Sequence, residues 1–191
     1  MIHVFVDTNV LIDYLGRRRA FFPPARKLLT FAYQGVYDLW MSAPQSTDIF
    51  CILTEGGKPS KSAQVKEAMC VLLETVHVAT STEEDVKRAL ASDMADFEDA
   101  LILSSAMSVG ADVIVTRDEG LANGIIPTRT PEEFFSWLEE KHRIGCAEMQ
   151  LIDGTWQRTL QAGGISQLRY KRRHRPPLAR TMALHAERSA S

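Results

Sequence analysis

The sequence predicts an α/β domain with a mostly parallel central sheet and helices on both faces. Three observations predict it. Short apolar, β-branched runs alternate with longer segments of helical periodicity across residues 2–141. The first of them, IHVFV at residues 2–6, is bounded by polar residues and reads as a buried strand. At 191 residues and 45% hydrophobic content, the chain can bury a full core. That length suits one domain of roughly 100–200 residues plus an extension. The domain is expected over residues 1–144, and a basic, partly disordered extension over 145–191.

Ile2–Val6 (IHVFV) is the first expected strand, and it ends at Asp7-Thr8-Asn9. Val10-Leu11-Ile12 and Tyr14-Leu15 follow at helical spacing, up to the basic run Arg17-Arg18-Arg19. Pro23-Pro24 opens a second helix, through about Tyr33, and Gly35 stops it. Leu39–Met41 is the second strand. From Ser42 to Leu53 the chain finishes that strand and becomes a helix, with Ile49, Phe50, Ile52 and Leu53 on its apolar side. Gly56-Gly57 breaks it. A helix over about Ser60–Leu73 has Val65, Met69, Leu72 and Leu73 as its inner stripe, and Val76–Ala79 is the third strand.

Ser81-Thr82 then offers helix caps, with Glu84 and Asp85 placed to close a capping box, for a helix to about Ala91. A polar segment, Ser92–Asp99, leads into a small-residue helix over Ala100–Val109 that Gly110 stops. Asp112–Val115 is the fourth strand and ends at Thr116-Arg117-Asp118; Ile125-Ile126 is a short fifth. Thr130-Pro131-Glu132-Glu133 combines a cap, a first-turn proline and a glutamate three residues after the cap. That helix continues through Phe134, Trp137, Leu138 and Lys141 to Gly145. Residues 146–165 fit a short strand or a short helix. Residues 166–191, Arg-rich with Pro176-Pro177, are expected to be mostly disordered.

The formal net charge of −2 conceals an asymmetry. Residues 158–191 carry eight Lys and Arg against one acid, which leaves fourteen bases against twenty-three acids in residues 1–157. An acidic body suits cations, and a basic tail suits a polyanion or plain solvation. Cys51, Cys70 and Cys146 are widely spaced and form no CxxC pair, so buried free thiols in a reducing compartment are expected and a structural zinc site is not. The first residues lack the pattern of a signal peptide, and no apolar stretch approaches roughly 18 residues. No membrane span is therefore expected, and a cytoplasmic location follows.

In open α/β sheets, ligands collect beyond the carboxyl ends of the strands. Two expected strands end in an aspartate there, at Asp7 and Asp118. Asp48 lies six residues after the strand end at Ser42, one to two turns into the next helix. Asp96 and Asp99, three residues apart, share one face of another helix start. If these elements converge, four or five carboxylates share a pocket. Unpaired buried carboxylates cost several kcal/mol each or become neutral. Hard divalent cations resolve that, because Mg²⁺ takes oxygen ligands while keeping several waters, and a bound water becomes a nucleophile. Each acid also has a plain structural role: Asp7 and Asp96 as caps, Asp48 on a solvated helix face, Asp118 in a turn. Asp93, Glu98, Asp112 and Glu119 are expected to be solvated or structural.

Order and context favour the first reading. HVFVDTNVLIDYL resembles the opening strand and helix of PIN domains. MSAPQSTDIFCIL resembles the family's next segment, DFEDALILSSAMSVGADVIVTRD its third and fourth blocks, and TPEEFFSWL its closing helix. The resemblance spans roughly residues 2–141. It implies a three-layer fold and a Mg²⁺- or Mn²⁺-dependent endoribonuclease acting on RNA. It implies Asp7, Asp48, Asp99 and Asp118 as catalytic metal ligands, Asp96 as a fifth, and Asn9 and Thr116 as residues that orient them. Many prokaryotic members resemble VapC-type toxins, so the resemblance also implies a cognate antitoxin and a homodimer. Two positions depart from the pattern. Asp48 stands where many relatives carry Glu, one methylene longer. Gly120-Leu121 stands where many carry a further acid and a Phe, which implies a weaker second metal site.

Two other readings compete. An aspartyl phosphatase of the haloacid-dehalogenase kind also places an Asp at the end of its first strand. Asn9 stands where its acid would be, and no suitably placed Lys follows a later strand. A PIN scaffold with a weak or inactive metal site, binding RNA or protein, rests on the two departures alone. For RNA, Arg17, Arg18 and Arg19 could hold phosphates, and the run at 169–175 could add affinity through counterion release; a solvated helix end and an inert tail are the plain readings of each.

Overall fold

A computed structural model describes residues 1–122 and 124–144. Five parallel strands, β1 (His3–Val6), β2 (Asp38–Ser42), β3 (Val76–Ala79), β4 (Val113–Val115) and β5 (Thr128–Arg129), form one sheet in the order β3-β2-β1-β4-β5. The helices are α1 (Thr8–Leu15), α2 (Phe22–Tyr33), α3 (Ala43–Leu53), α4 (Pro59–Leu72), α5 (Glu83–Leu90), α6 (Phe97–Ser108) and α7 (Pro131–His142), with a 3₁₀ turn at Glu119–Leu121. The fold is the three-layer α/β arrangement that the sequence predicts.

Pleating assigns the layers. Val4 and Val6 face one side with Leu39, Met41, Val113 and Val115, where side chains of α1, α2, α3, α4 and α7 cover them. Phe5 and Ile114 face the other side, beneath Ile102, Leu103 and Ala106 of α6. α5 backs α6 through Asp85, whose fully buried carboxylate accepts from the Thr82 amide at 2.9 Å and the Thr82 hydroxyl at 2.8 Å, and from Ser104 and Ser108 of α6. Glu84 and Asp85 both stand where a capping box could form, and Asp85 closes it.

Several local expectations change. β5 is Thr128–Arg129 and not Ile125-Ile126. It pairs with β4 through its backbone, with Ile114 N donating to Pro127 O and Thr116 N to Arg129 O, both at 2.9 Å. An edge strand needs one ladder and no apolar run. Ile126 instead plugs the α6 side of the core, and Ile125 is exposed. α6 begins at Phe97, three residues before the apolar stretch, because Asp96 caps it. Ile52 and Leu73 lie on exposed flanks of α3 and of the α4 end, outside the inner stripes. Cys51 and Cys70 are free as expected but exposed, since both fall on the outer faces of α3 and α4. Among the described residues, no helix is long and apolar enough to cross a membrane. The expectations for Cys146, for a strand or helix at 146–165 and for disorder at 166–191 lie outside the described residues.

Candidate active site

The sheet order reverses at β1: the chain moves outward to β2 and β3, then returns to place β4 on the other side of β1. Such a switch point opens a crevice at the strands' carboxyl ends. Val6 pairs with Val115 there, so the next residues, Asp7 and Thr116, are also neighbours. Asp7 N donates to Val115 O at 3.0 Å, and Thr116 Oγ1 donates to Asp7 Oδ2 at 2.6 Å. Asn9 Nδ2 reaches back to the same Asp7 oxygen and lies 3.3 Å from Thr116 Oγ1, which also accepts from Asp118 N at 2.8 Å. One hydroxyl thus ties the first aspartate to the loop that carries the last.

Asp7 is 5% exposed. It stands at the N-cap position of α1 without closing a cap bond of its own, turning to Thr116 instead. Burial pushes its carboxyl above the ordinary range, and the charge of Asp118 adds to this; Thr116 and the amides of Thr8 and Asn9 act against it. Asp118 caps the 3₁₀ turn, accepting from Gly120 N at 2.8 Å, and is exposed. Asp96 caps α6, accepting from Glu98 N at 2.8 Å, so its plain structural role is real. Asp99 follows in the first turn. Burial, then the charges of Asp96, Asp118, Asp7 and Glu98, raise it to about 6.

Asp48 is half-buried in the second turn of α3 and enters the cluster through Glu98. Glu98 is the residue that sequence reasoning missed. Burial raises its carboxyl, followed by the charge of Asp48, with Asp7 and Asp96 contributing, and its Oε1 accepts from Thr8 Oγ1 at 3.2 Å. The signal available was its place in the first turn beside Asp99, which alone indicates only dipole compensation. Asp112 is structural as expected, accepting from His3 N at 2.8 Å. Glu119 is exposed in the turn.

The structure therefore brings all five predicted acids, and Glu98, into one electrostatic neighbourhood spanning four elements. Oxygen-only donors with mutual repulsion suit a hard divalent cation. A cradle is visible as well: a Cβ on Gly120 would sit 3.2 Å from Asp118 Oδ1 and 3.7 Å from Asp99 Oδ2, so the missing side chain leaves space beside both carboxylates. Among the described residues, no three His, Cys, Asp or Glu side chains close on one point as tightly as a bound ion draws its ligands.

A parallel α/β sandwich whose acids gather at the switch point of the sheet defines a class, and the sequence places the chain within it. The PIN domain profile matches residues 3–120, and the chain belongs to that family. No curated protein matches the sequence. Among solved structures, the chain is similar to VapBC2 from Rickettsia felis, crystallised with a DNA fragment from their promoter. The TM-score is 0.52 at 12% identity, over 68% of this chain and 98% of that one. It is also similar to VapC20 of Mycobacterium tuberculosis, a sarcin-ricin loop cleaving toxin, at TM-score 0.48 and 17% identity over 62% of this chain and 92% of that one.

Proposed function

We propose that the chain is a PIN-type endoribonuclease dependent on Mg²⁺ or Mn²⁺. The observation that carries this reading is the convergence of Asp7, Asp48, Asp96, Asp99 and Asp118 at the switch point, where burial and then the charges of Asp96, Asp118 and Asp7 raise Asp99 to about 6. Asp7, Asp48, Asp99 and Asp118 are the acids that would hold the ion, with Asp96 contributing charge from the cap of α6. When bound, the ion supplies a Lewis acid and a water of lowered pKa. Thr116 and Asn9 orient Asp7 by both donating to its Oδ2 before an ion arrives. The exposed Arg17, Arg18 and Arg19 beyond α1 offer charge to RNA phosphates. No His, Cys or Ser is required as nucleophile.

The same reading extends to partners. A VapC-like role gives the chain a cognate antitoxin, whose natural means of neutralising the site is an arginine set among the carboxylates. It also gives a homodimer and a cytoplasmic setting.

The experiment compares wild type and Asp7→Asn on single-stranded and structured RNA with Mn²⁺, Mg²⁺ or EDTA. Cleavage that needs metal and disappears in a folded variant supports the nuclease. The second reading, a scaffold binding RNA or protein, draws on the lack of a tightly closed ligand set among the described residues. It takes first place if neither protein cleaves and Mn²⁺ leaves the melting temperature unchanged, because an ion bound only by the folded state must raise it.

A further inference from the structure

Gln45 is the third residue of α3 and is 1% exposed. Its Oε1 accepts from Ser42 N at 2.7 Å. That bond is half of a capping box, and any Gln or Glu could supply it. The other end of the amide does what a cap does not require. Nε2 donates to Val6 O at 3.0 Å and to Thr8 Oγ1 at 3.1 Å, both on β1 or the helix it feeds. The two N–H groups and the oxygen are all engaged, so the amide has one workable orientation: flipped, it would set N–H against the Ser42 N–H and oxygen against the Val6 carbonyl.

The direction of the next bond follows. The Thr8 hydroxyl accepts from Gln45, and its single hydrogen goes to Glu98 Oε1 at 3.2 Å. A one-way relay therefore runs from the end of β2, through Gln45 and Thr8, to the first turn of α6. It joins the three elements that carry Asp7, Asp48 and Glu98. Asp7 lies between Val6 and Thr8, and Asp48 follows Gln45 by three residues on α3.

We propose that Gln45 is a positioning residue for the metal site: through Val6, Thr8 and its own helix it sets the spacing of the Asp7, Asp48 and Glu98 carboxylates. This rests on the nuclease reading above. Removing the relay weakens ion binding by letting α6, which carries Asp99 next to Glu98, and α3, which carries Asp48, drift from β1 and Asp7; groups that hold metal ligands in place govern affinity by roughly 10–100-fold.

The test measures Mn²⁺ affinity by electron paramagnetic resonance of the free ion, melting in EDTA, and kcat and KM on RNA. The proteins are wild type, Gln45→Met, Thr8→Val, Thr8→Ser and the double variant Gln45→Met/Thr8→Val. Gln45→Met keeps length and loses every bond. Thr8→Val loses only the hydroxyl, so it keeps the test open if Gln45→Met fails to fold. Expected are losses of about 10-fold in Mn²⁺ affinity for each single change and recovery to near wild type in Thr8→Ser. The double variant should bind about as weakly as the worse single one, since both cut the same relay. In both weakened variants kcat falls while KM holds. Single variants that bind Mn²⁺ within about twofold of wild type, or losses that multiply in the double variant, overturn the relay and leave the nuclease reading intact. A wild type that binds no Mn²⁺ overturns both.

Discussion

The carboxylate of Asp13, buried in α1, accepts from Arg117 Nε at 2.7 Å across 104 residues of sequence. The Arg117 guanidinium also lies over the Phe21 ring, 3.9 Å from its centroid, and Arg18 stands 3.6 Å from the other Asp13 oxygen. Arg117 separates Thr116 from Asp118, so this pair staples the loop bearing the last aspartate to the helix that follows the first. Arg117→Met keeps the apolar stem over Phe21 and removes the charge. It leaves Asp13, 1% exposed, with an Oδ1 that already lacks a hydrogen bond. Breaking a buried pair on one side costs about 3–5 kcal/mol, and the low end is expected because Arg18 remains. Urea unfolding measures it, and the double variant Asp13→Asn/Arg117→Met should recover most of the loss. A single-variant change under about 0.5 kcal/mol would show that the pair contributes little.

Much of this was legible in the sequence, for identifiable reasons. Strands β1, β2 and β4 lie in the covered interior of the sheet and so left short apolar runs, the edge strand β3 kept its run although Val78 is exposed, and Thr82, Asp96 and Thr130 announced helix starts through hydrogen bonds that only short polar side chains make. β5 was misplaced because a two-residue edge strand is held by backbone groups that leave no mark in side-chain pattern. Glu98 and Gln45 were passed over because their partners lie far away: Thr8 is 90 residues from Glu98, and Val6 is 39 from Gln45. Ile52, Leu73, Cys51 and Cys70 show the limit of helical periodicity. It names a face but not how far a neighbouring helix extends over it.

The apo protein should lose stability as pH rises from about 4 to about 6. Asp99 titrates near 6 in the fold against an ordinary 3.8, with burial and then Asp96 as the leading causes. The folded state therefore holds a proton that the unfolded chain has already released. Stability then falls with pH across that window and levels off above it. Thermal melts in EDTA from pH 4 to pH 8 measure this, and Asp99→Asn should flatten that part of the profile. A wild-type curve that rises steadily through the window would contradict the assignment.

Gly120→Ala tests the space beside the carboxylates. The added Cβ would meet Asp118 Oδ1 at 3.2 Å, closer than ordinary contact, and Asp99 Oδ2 at 3.7 Å. The carboxylate of Asp118 is exposed and can turn aside, so the fold should hold to within about 0.5 kcal/mol. The space an ion would use is lost instead. Mn²⁺ affinity, read by titration, should fall several-fold while melting in EDTA stays unchanged. Unaltered affinity would place the ion away from Gly120.

Asp7→Asn should be more stable than wild type without metal and less stable with it. Burial raises the carboxyl of wild-type Asp7, and a group raised in this way destabilises the fold above its unfolded pKa. Asparagine carries no charge, and its oxygen can still accept from Thr116 and Asn9, which now donate to Asp7 Oδ2. In EDTA at pH 7 the variant should melt a few degrees higher, the shift expected of about 1 kcal/mol in a domain of this size. Saturating Mn²⁺ should raise wild type and leave the variant where it was, because a ligand charge is gone. The order of the two melting temperatures then inverts between the two buffers. A variant that melts below wild type in both would mean that the Asp7 charge stabilises the empty fold, and the cluster would then be a structural network and not a site held open for an ion.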